Sequence, residues 1–346
     1  MRQLFFMRSI TTVAVVFLWC VNMFAQYNYT MTTIGKHNDE VLGVFVNEAN
    51  SRFATCSVDE TIKIWSLPEC KEIKTLTGHL GQVNNVSFSG DDKSLASASS
   101  DGTVRVWNVE SGACTAILKG HTAEVSGVYY SQKDNSSFIA SSSFDKTVKL
   151  WDVNLLSEIK TLRGHTAAVN GIAYSYDGKY LASCGDDHQI RVWSTDLDKK
   201  EPIIIPTGSQ HQAPVLSCLF SFDNKYLVSC DKDGVIKIWQ MFDGQLIRTI
   251  NAHEDLIQDF TFMGDNKTLV SVSLDKTVKI WDILTGEKLW EMKVDSEIWG
   301  VDVTSDGGMI ILGCADGTVR MLRNSNLKGG ANTPSNNGGK KGGKGK

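Results

Sequence analysis

An eight-residue pattern returns at a nearly constant interval along this chain, and no other feature limits the fold as tightly. Its clearest copy is Ser100-Asp101-Gly102-Thr103-Val104-Arg105-Val106-Trp107, an Asp-Gly turn followed by an alternating β-branched strand that ends in Trp. It returns as Val58 to Trp65 and Phe144 to Trp151, and again as Asp187 to Trp193, Asp233 to Trp239 and Asp275 to Trp281. A seventh copy, Asp316 to Leu322, carries Leu where the others carry Trp. One short half-buried strand cannot cover its own apolar face, so units of this kind must stack on their neighbours.

The interval selects the architecture. Trp65, Trp107, Trp151, Trp193, Trp239 and Trp281 are separated by 42, 44, 42, 46 and 42 residues, and Leu322 follows 41 residues later. Periods of about 40–45 residues with Gly-His and Trp signatures read as four-stranded propeller blades. Blade two shows the whole unit. Gly78-His79 opens it, then come strand a (Val83 to Phe88), a Gly90-Asp91-Asp92-Lys93 turn and strand b (Leu95 to Ser99). The Asp101-Gly102 hairpin, strand c (Thr103 to Trp107) and strand d (Cys114 to Leu118) complete it.

From Tyr27 to Arg323 these repeats resemble the WD40-repeat family. The expected fold is all-β, a seven-bladed β-propeller of four-stranded antiparallel blades spanning residues 27–323. The seventh repeat stops after strand c. The resemblance implies that an N-terminal strand, Asn28 to Ile34, completes the last blade as its outer strand and covers an open edge.

Two flanking segments stand outside the repeats. Residues 1–25 have the layout of a signal peptide: Arg2 and Arg8, an apolar run from Ile10 to Val21, and Ala25 before the expected cleavage point. That layout predicts export to the periplasm, the outer membrane or the exterior. The alternatives are an uncleaved membrane anchor and a cytoplasmic protein with a misassigned start. Residues 324–346 are Gly, Asn and Lys without apolar pattern, and read as a disordered tail. Its lysines, Lys328, Lys340, Lys341, Lys344 and Lys346, suit either solubility or contact with an anionic surface.

The chain's formal charge of −4 hides an asymmetry. Without the two leader arginines and the five tail lysines, 28 basic residues of the 35 face 39 acidic ones, a formal −11. An acidic body argues against a nucleic-acid groove on the propeller. Of eight cysteines, Cys20 lies in the leader. Cys56, Cys184 and Cys230 each stand three residues before a turn Asp, a small buried strand position. The spacing follows the blades, so neither a disulfide framework nor a zinc site is indicated.

Each blade also carries the ingredients of acyl-transfer catalysis at fixed offsets. The sets are His37, Thr55, Asp59, Trp65; His79, Ser97, Asp101, Trp107; and His121, Ser141, Asp145, Trp151. Three more are His165, Ser183, Asp187, Trp193; His211, Ser229, Asp233, Trp239; and His253, Ser271, Asp275, Trp281. A protein needs an active site once and a structural bond in every blade, so sixfold repetition marks them as structural tetrads. The family resemblance implies the same network, tying strands a, b and c. Blade seven departs from it, with Asp295, Leu312 and Leu322 where His, Ser and Trp should stand; only Asp316 persists. Closure there is expected to rest on apolar packing and the N-terminal strand.

Six of seven histidines are used in this way, leaving His188 in an Asp-Asp-His-Gln turn. Asp186 and His188 alone lack the ligands a metal needs. No catalytic residue, metal or cofactor is therefore assigned, and the chain reads as a non-enzymatic scaffold for protein or peptide partners, itself a monomer. An enzyme with a metal or redox centre in its channel is the rival reading. By the resemblance, partners bind around the channel, at positions three and five residues after His and one before the turn Asp. Those positions hold acidic Glu40, Glu124 and Asp186. They also hold apolar Leu42, Val58, Phe144, Pro214, Leu216, Leu256, Leu274 and Ile298, with Trp299 adjacent. An apolar arc with an acidic rim suits a partner segment of apolar anchors and basic flanks. The tetrad assignment predicts that Asp101→Ala lowers the melting temperature more than Asp186→Ala. Equal melting temperatures would contradict it.

Overall fold

The computed structural model describes residues 27–131, 138–196, 203–204, 210–241 and 243–327; the leader and residues 328–346 of the tail lie outside them, while Asn324, expected to open the disordered tail, instead ends a strand. The described strands form seven four-stranded antiparallel sheets. Six are built from consecutive strands in the order a-b-c-d, so each sheet is a meander whose tight turns follow the Asp, Asn and Gly signals of the sequence. No helix among the described residues is long and apolar enough to cross a membrane.

The seventh sheet mixes the two ends of the chain. Strand Tyr29–Lys36 pairs antiparallel with strand Thr318–Asn324, Tyr29 opposite Asn324 and Lys36 opposite Thr318. The closing strand begins and ends slightly later than Asn28 to Ile34. Tyr29 Oη donates to the Gly307 carbonyl at 2.7 Å, and Ser325 Oγ donates to the Asn28 carbonyl at 2.8 Å. Blades seven and one are joined further by Asn50, whose Nδ2 donates to Ser305 Oγ (2.8 Å) and whose Oδ1 accepts the Ser305 N–H (2.9 Å).

The core lies between blades rather than within them. Ala54, Ile62 and Ile64 of blade one pack on Val86, Phe88 and Trp107 of blade two. Ile311, Val319 and Met321 of blade seven meet Val44, Phe53 and Trp65 of blade one. Burying one aliphatic side chain of this size is worth about 1.5–3 kcal/mol, and every blade contributes to two such layers. Blade seven's Leu312 and Leu322 join the layer against blade six, so the lost hydroxyl and indole are replaced by apolar packing. A polar link survives there too. Arg320 bonds Asp295 and, through Nη2 at 2.6 Å, Asp316. To the expected apolar packing and N-terminal strand the structure adds that guanidinium. Arg320 bridges the two carboxylates left when His and Trp are absent.

One irregularity recurs in all seven blades. Near the start of strand a, pairing with strand b slips by one residue, as between Val41 and Gly43 or Val125 and Gly127. A bulge of this kind bends the strand and re-aims the extra side chain. The residues so placed are Leu42, Asn84, Ser126, Asn170, Leu216, Gln258 and Trp299. All seven line the central channel, a cavity of about 460 Å³.

Candidate functional site

The tetrads are built first, because they decide which polar groups remain for function. In blade two, Trp107 Nε1–H donates to Ser97 Oγ (2.8 Å), Ser97 lies 2.7 Å from His79 Nε2, and His79 Nδ1 lies 2.8 Å from Asp101. With Asp101 ionised, Nδ1 carries the proton and Nε2 accepts the Ser hydroxyl. Asp101 also accepts the Leu80 and Thr103 amides and the Thr103 hydroxyl. These donors hold its carboxyl down at about 2 against the opposing effect of burial, while burial holds His79 below the usual imidazole value. Blades one, three, four and six repeat the geometry, with Thr55 in place of Ser in blade one.

Blade five corrects the sequence assignment. His211 Nδ1 bonds Asp231 at 2.6 Å, not Asp233. Asp231 stands where most blades carry Ser (Ser57, Ser99, Ser143, Ser273). It is buried and reaches back to the imidazole with Oδ2, while Oδ1 accepts the Asp233 and Val235 amides. Val235 stands where five blades carry Thr, so Asp233 has no hydroxyl two residues on, and it lies exposed. Ser229 and Trp239 keep their places, 2.7 Å and 2.9 Å along the same chain of bonds.

The channel mouth carries the remaining candidates. One backbone bond repeats around it: Val58, Ser100, Phe144, Asp186, Lys232, Leu274 and Ala315 each donate N–H to the carbonyl of Glu40, Gln82, Glu124, Ala168, Pro214, Leu256 and Glu297 respectively. This register moves one residue. Ile298 is fully buried, because the loop after Asp295 is one residue shorter than the loop after His37, so Ile298 occupies the place of Val41. Glu297, not Ile298, belongs to the rim. The offset Ile298-x-Gly300-Val301, matching Val41-x-Gly43-Val44, is the sequence signal for that shift.

The mouth is divided by chemistry. Over blades two to four, Asn84, Ser126 and Asn170 turn their polar ends onto the next blade's Val125, Val169 and Val215 carbonyls. Over blades five, seven and one, Leu216, Trp299 and Leu42 stand partly buried, flanked by Pro214, Leu256, Leu274 and Val58. The Trp299 indole N–H is buried without an acceptor among the described residues. Phe144 is 45% exposed, and Leu80, which the sequence reading missed, is 83% exposed. Among the acids, Glu124 accepts from Ser100 Oγ and Asp186 from Asn170 Nδ2. Burial first, then the charges of Asp39 and Glu297, raise the Glu40 carboxyl above its usual value. Three like charges thus gather at the seam between blades seven and one, with no ion pair to any of them among the described residues.

Deeper in the channel stand two carboxylates that the sequence reading did not single out. Asp259 accepts the Val301 amide (3.1 Å), and Asp302 accepts the Val46 amide (2.7 Å) and the Thr261 hydroxyl (3.1 Å). Burial pushes Asp259 up to about 7 and Asp302 up to about 6. Asp186 and His188 gather no further ligands. Among the described residues no group of three His, Cys, Asp or Glu side chains is placed to hold a metal, and the seven described cysteines are unpaired thiols.

The blade-five geometry predicts that Asp231→Asn costs more than Asp233→Asn. Weakening a buried charge-assisted bond costs about 1.5–3 kcal/mol, and an exposed substitution stays within about 0.5 kcal/mol. Denaturant unfolding of the two variants checks this; a larger loss for Asp233→Asn contradicts the reassignment.

Comparison with known families agrees with the fold. A family model described as the TEP-1 second beta-propeller matches residues 90–299. A model described as WD domain, G-beta repeat, matches residues 28–66, 70–108 and 286–321. No curated protein matches the chain.

Proposed function

The chain belongs to the WD40-repeat β-propeller family, and we propose that it is a non-enzymatic scaffold whose channel mouth docks a partner segment with apolar anchors and a basic flank. Propellers of this family are generally interaction scaffolds that bind protein partners. One observation carries the finer reading: the bulges aim an apolar sector at the mouth beside an acidic seam that holds no cation. Leu216, Trp299 and Leu42 offer surface for apolar anchors, and Phe144 and Leu80 extend it outward. Asp39, Glu40 and Glu297 offer charge to a Lys or Arg.

The rival enzyme reading has less support. The histidines that resemble a base are bound inside tetrads, and Asp259 and Asp302 stand without a histidine or cysteine to share a metal. Export remains part of the proposal and rests on the leader's charged, apolar and small-residue order. The propeller is proposed to act as a monomer, with its Lys-rich tail free to meet an anionic surface.

Charge reversal at Glu40 and Glu124 tests the mouth. The double variant Glu40→Lys, Glu124→Lys is expected to weaken capture of a basic partner by about tenfold or more, since several close charge pairs change sign. Affinity co-purification followed by titration of the captured partner measures it. Unchanged capture sinks the rim assignment.

A further inference from the structure

The channel wall behind the mouth carries more negative charge than its fold requires. Within blade two, neutral groups staple one blade to the next: Asn85 Oδ1 accepts the Val128 amide (3.3 Å) and Ser87 Oγ accepts the Tyr130 amide (3.1 Å). The equivalent strand positions of blades six and seven hold Asp259 and Asp302, which make the same kind of staple to Val301 and Val46. An amide or hydroxyl suffices for that bond, so the charge is surplus to it. No Lys, Arg or His among the described residues lies within ion-pair distance of Asp259, Asp302 or Glu48, and none acts on their titration. Ionised carboxylates in so enclosed a place cost free energy unless a cation joins them.

Aromatic rings line the same cavity as these acids. Phe45 packs edge-on against Tyr129 at 5.9 Å, and Tyr176 against Phe222 at 4.8 Å. Tyr129 and Tyr176 both feel the charges of Asp302 and Glu48, which sets the four groups around one lumen. Carboxylates beside aromatic faces are the chemistry that receives an organic cation. A divalent metal is disfavoured. It seeks six or more oxygens, whereas these carboxylates already accept amide N–H groups and no third metal-ligating group joins them. The channel's volume of about 460 Å³ falls in the range of small-ligand pockets, about 300–1,000 Å³.

We propose that the channel, on the side away from the mouth, is a binding site for a small free organic ammonium ion, held by the carboxylates of Asp259 and Asp302 and the rings of Phe45, Tyr129, Tyr176 and Phe222. The site shares one cavity with the mouth but uses different residues of it, so its test needs no partner segment. Binding draws on the ionised carboxylates, so a proton competes with the ligand. Asp259 and Asp302 accept that proton as pH falls through about 7 and about 6. Glu48, Tyr129, Tyr174, Tyr176 and Cys218 line the same cavity, and the buried Cys56 and Cys230 thiols also feel the charge of Asp259. Affinity therefore rises with pH across that window and falls on acidification.

Isothermal titration of the full chain with choline or putrescine, against sodium chloride and calcium chloride at matched ionic strength, tests this. Saturable binding of one amine is expected, about tenfold weaker at about pH 5.5 than at about pH 7.5. The double variant Asp259→Asn, Asp302→Asn is expected to lose about tenfold or more in affinity while Glu287→Gln, which removes an exposed charge outside the channel lining, binds as the parent does. Asn serves as the staple already at Asn85, so the double variant is expected to fold. If it does not, Tyr129→Leu, which removes a ring and leaves both acids, replaces it and is expected to weaken binding. The proposal is overturned if neither amine saturates by about 10 mM, weaker than any useful affinity. It is also overturned if calcium binds in the amine's place, or if the variant that folds binds as tightly as the parent.

Discussion

A buried carboxylate is costly unless donors surround it, and six blades meet that requirement with one directional chain of bonds. Indole N–H gives to hydroxyl, hydroxyl to imidazole, imidazole to carboxylate. The chain has a sense only when the histidine is neutral with its proton on Nδ1. A protonated imidazole would present two donors and leave the hydroxyl without its acceptor. Each bond contributes about 1 kcal/mol net, and the charge-assisted one more. The chain joins Trp on strand c, Ser or Thr on strand b, His before strand a and Asp in the b–c turn, so it fastens three strands of a blade at one end. In blade five the chain ends on Asp231 and in blade seven it is replaced by Arg320 between two acids. A carboxylate is kept in every case; in blade five its position changes and in blade seven its partner does.

Because these groups are spent on the frame, function falls to what the inner strands present. The sevenfold bulge is the device that converts a regular sheet into a mouth with distinct sectors. Three of its residues are polar and are consumed in bonds to the next blade. Of the rest, Leu42, Leu216 and Trp299 give the mouth its apolar sector, with Gln258 of blade six between Leu216 and Trp299. Deeper in, two staples are acidic where neutral ones would serve, so surface partner and channel ligand are separate questions posed by one ring of strands.

Much of this was legible in the sequence because it recurs. The Trp spacing sets the number of blades, the incomplete seventh repeat announces the N-terminal strand, and the His-to-Trp offsets identify five tetrads as the structure joins them. What was missed lies where one blade departs from the repeat. A fixed offset pointed to Asp233, since a Ser-to-Asp change two residues earlier looks neutral until the longer side chain is seen to reach His211. The same offset pointed to Ile298, since counting forward from Asp295 passes over the single-residue deletion that only the Ile298-x-Gly300-Val301 register betrays. Asp259 and Asp302 sit within alternating strands, where one acid reads as an ordinary solvent-facing position. Only closure of the ring turns that face inward, beside Phe45 and Tyr129.

The central claim is that the imidazoles are neutral struts. Burial holds His37, His79, His121, His211 and His253 below the ordinary imidazole value. A histidine depressed in this way stabilises the fold above its unfolded value of about 6.5 and loses that contribution as pH falls below it. Nitrogen-15 NMR of the imidazole rings, followed from about pH 8 down to about pH 6, reads both tautomer and charge. The account predicts that these five rings carry their proton on Nδ1 and stay neutral through about pH 6.5. Rings that titrate near that value, or carry the proton on Nε2, would contradict it.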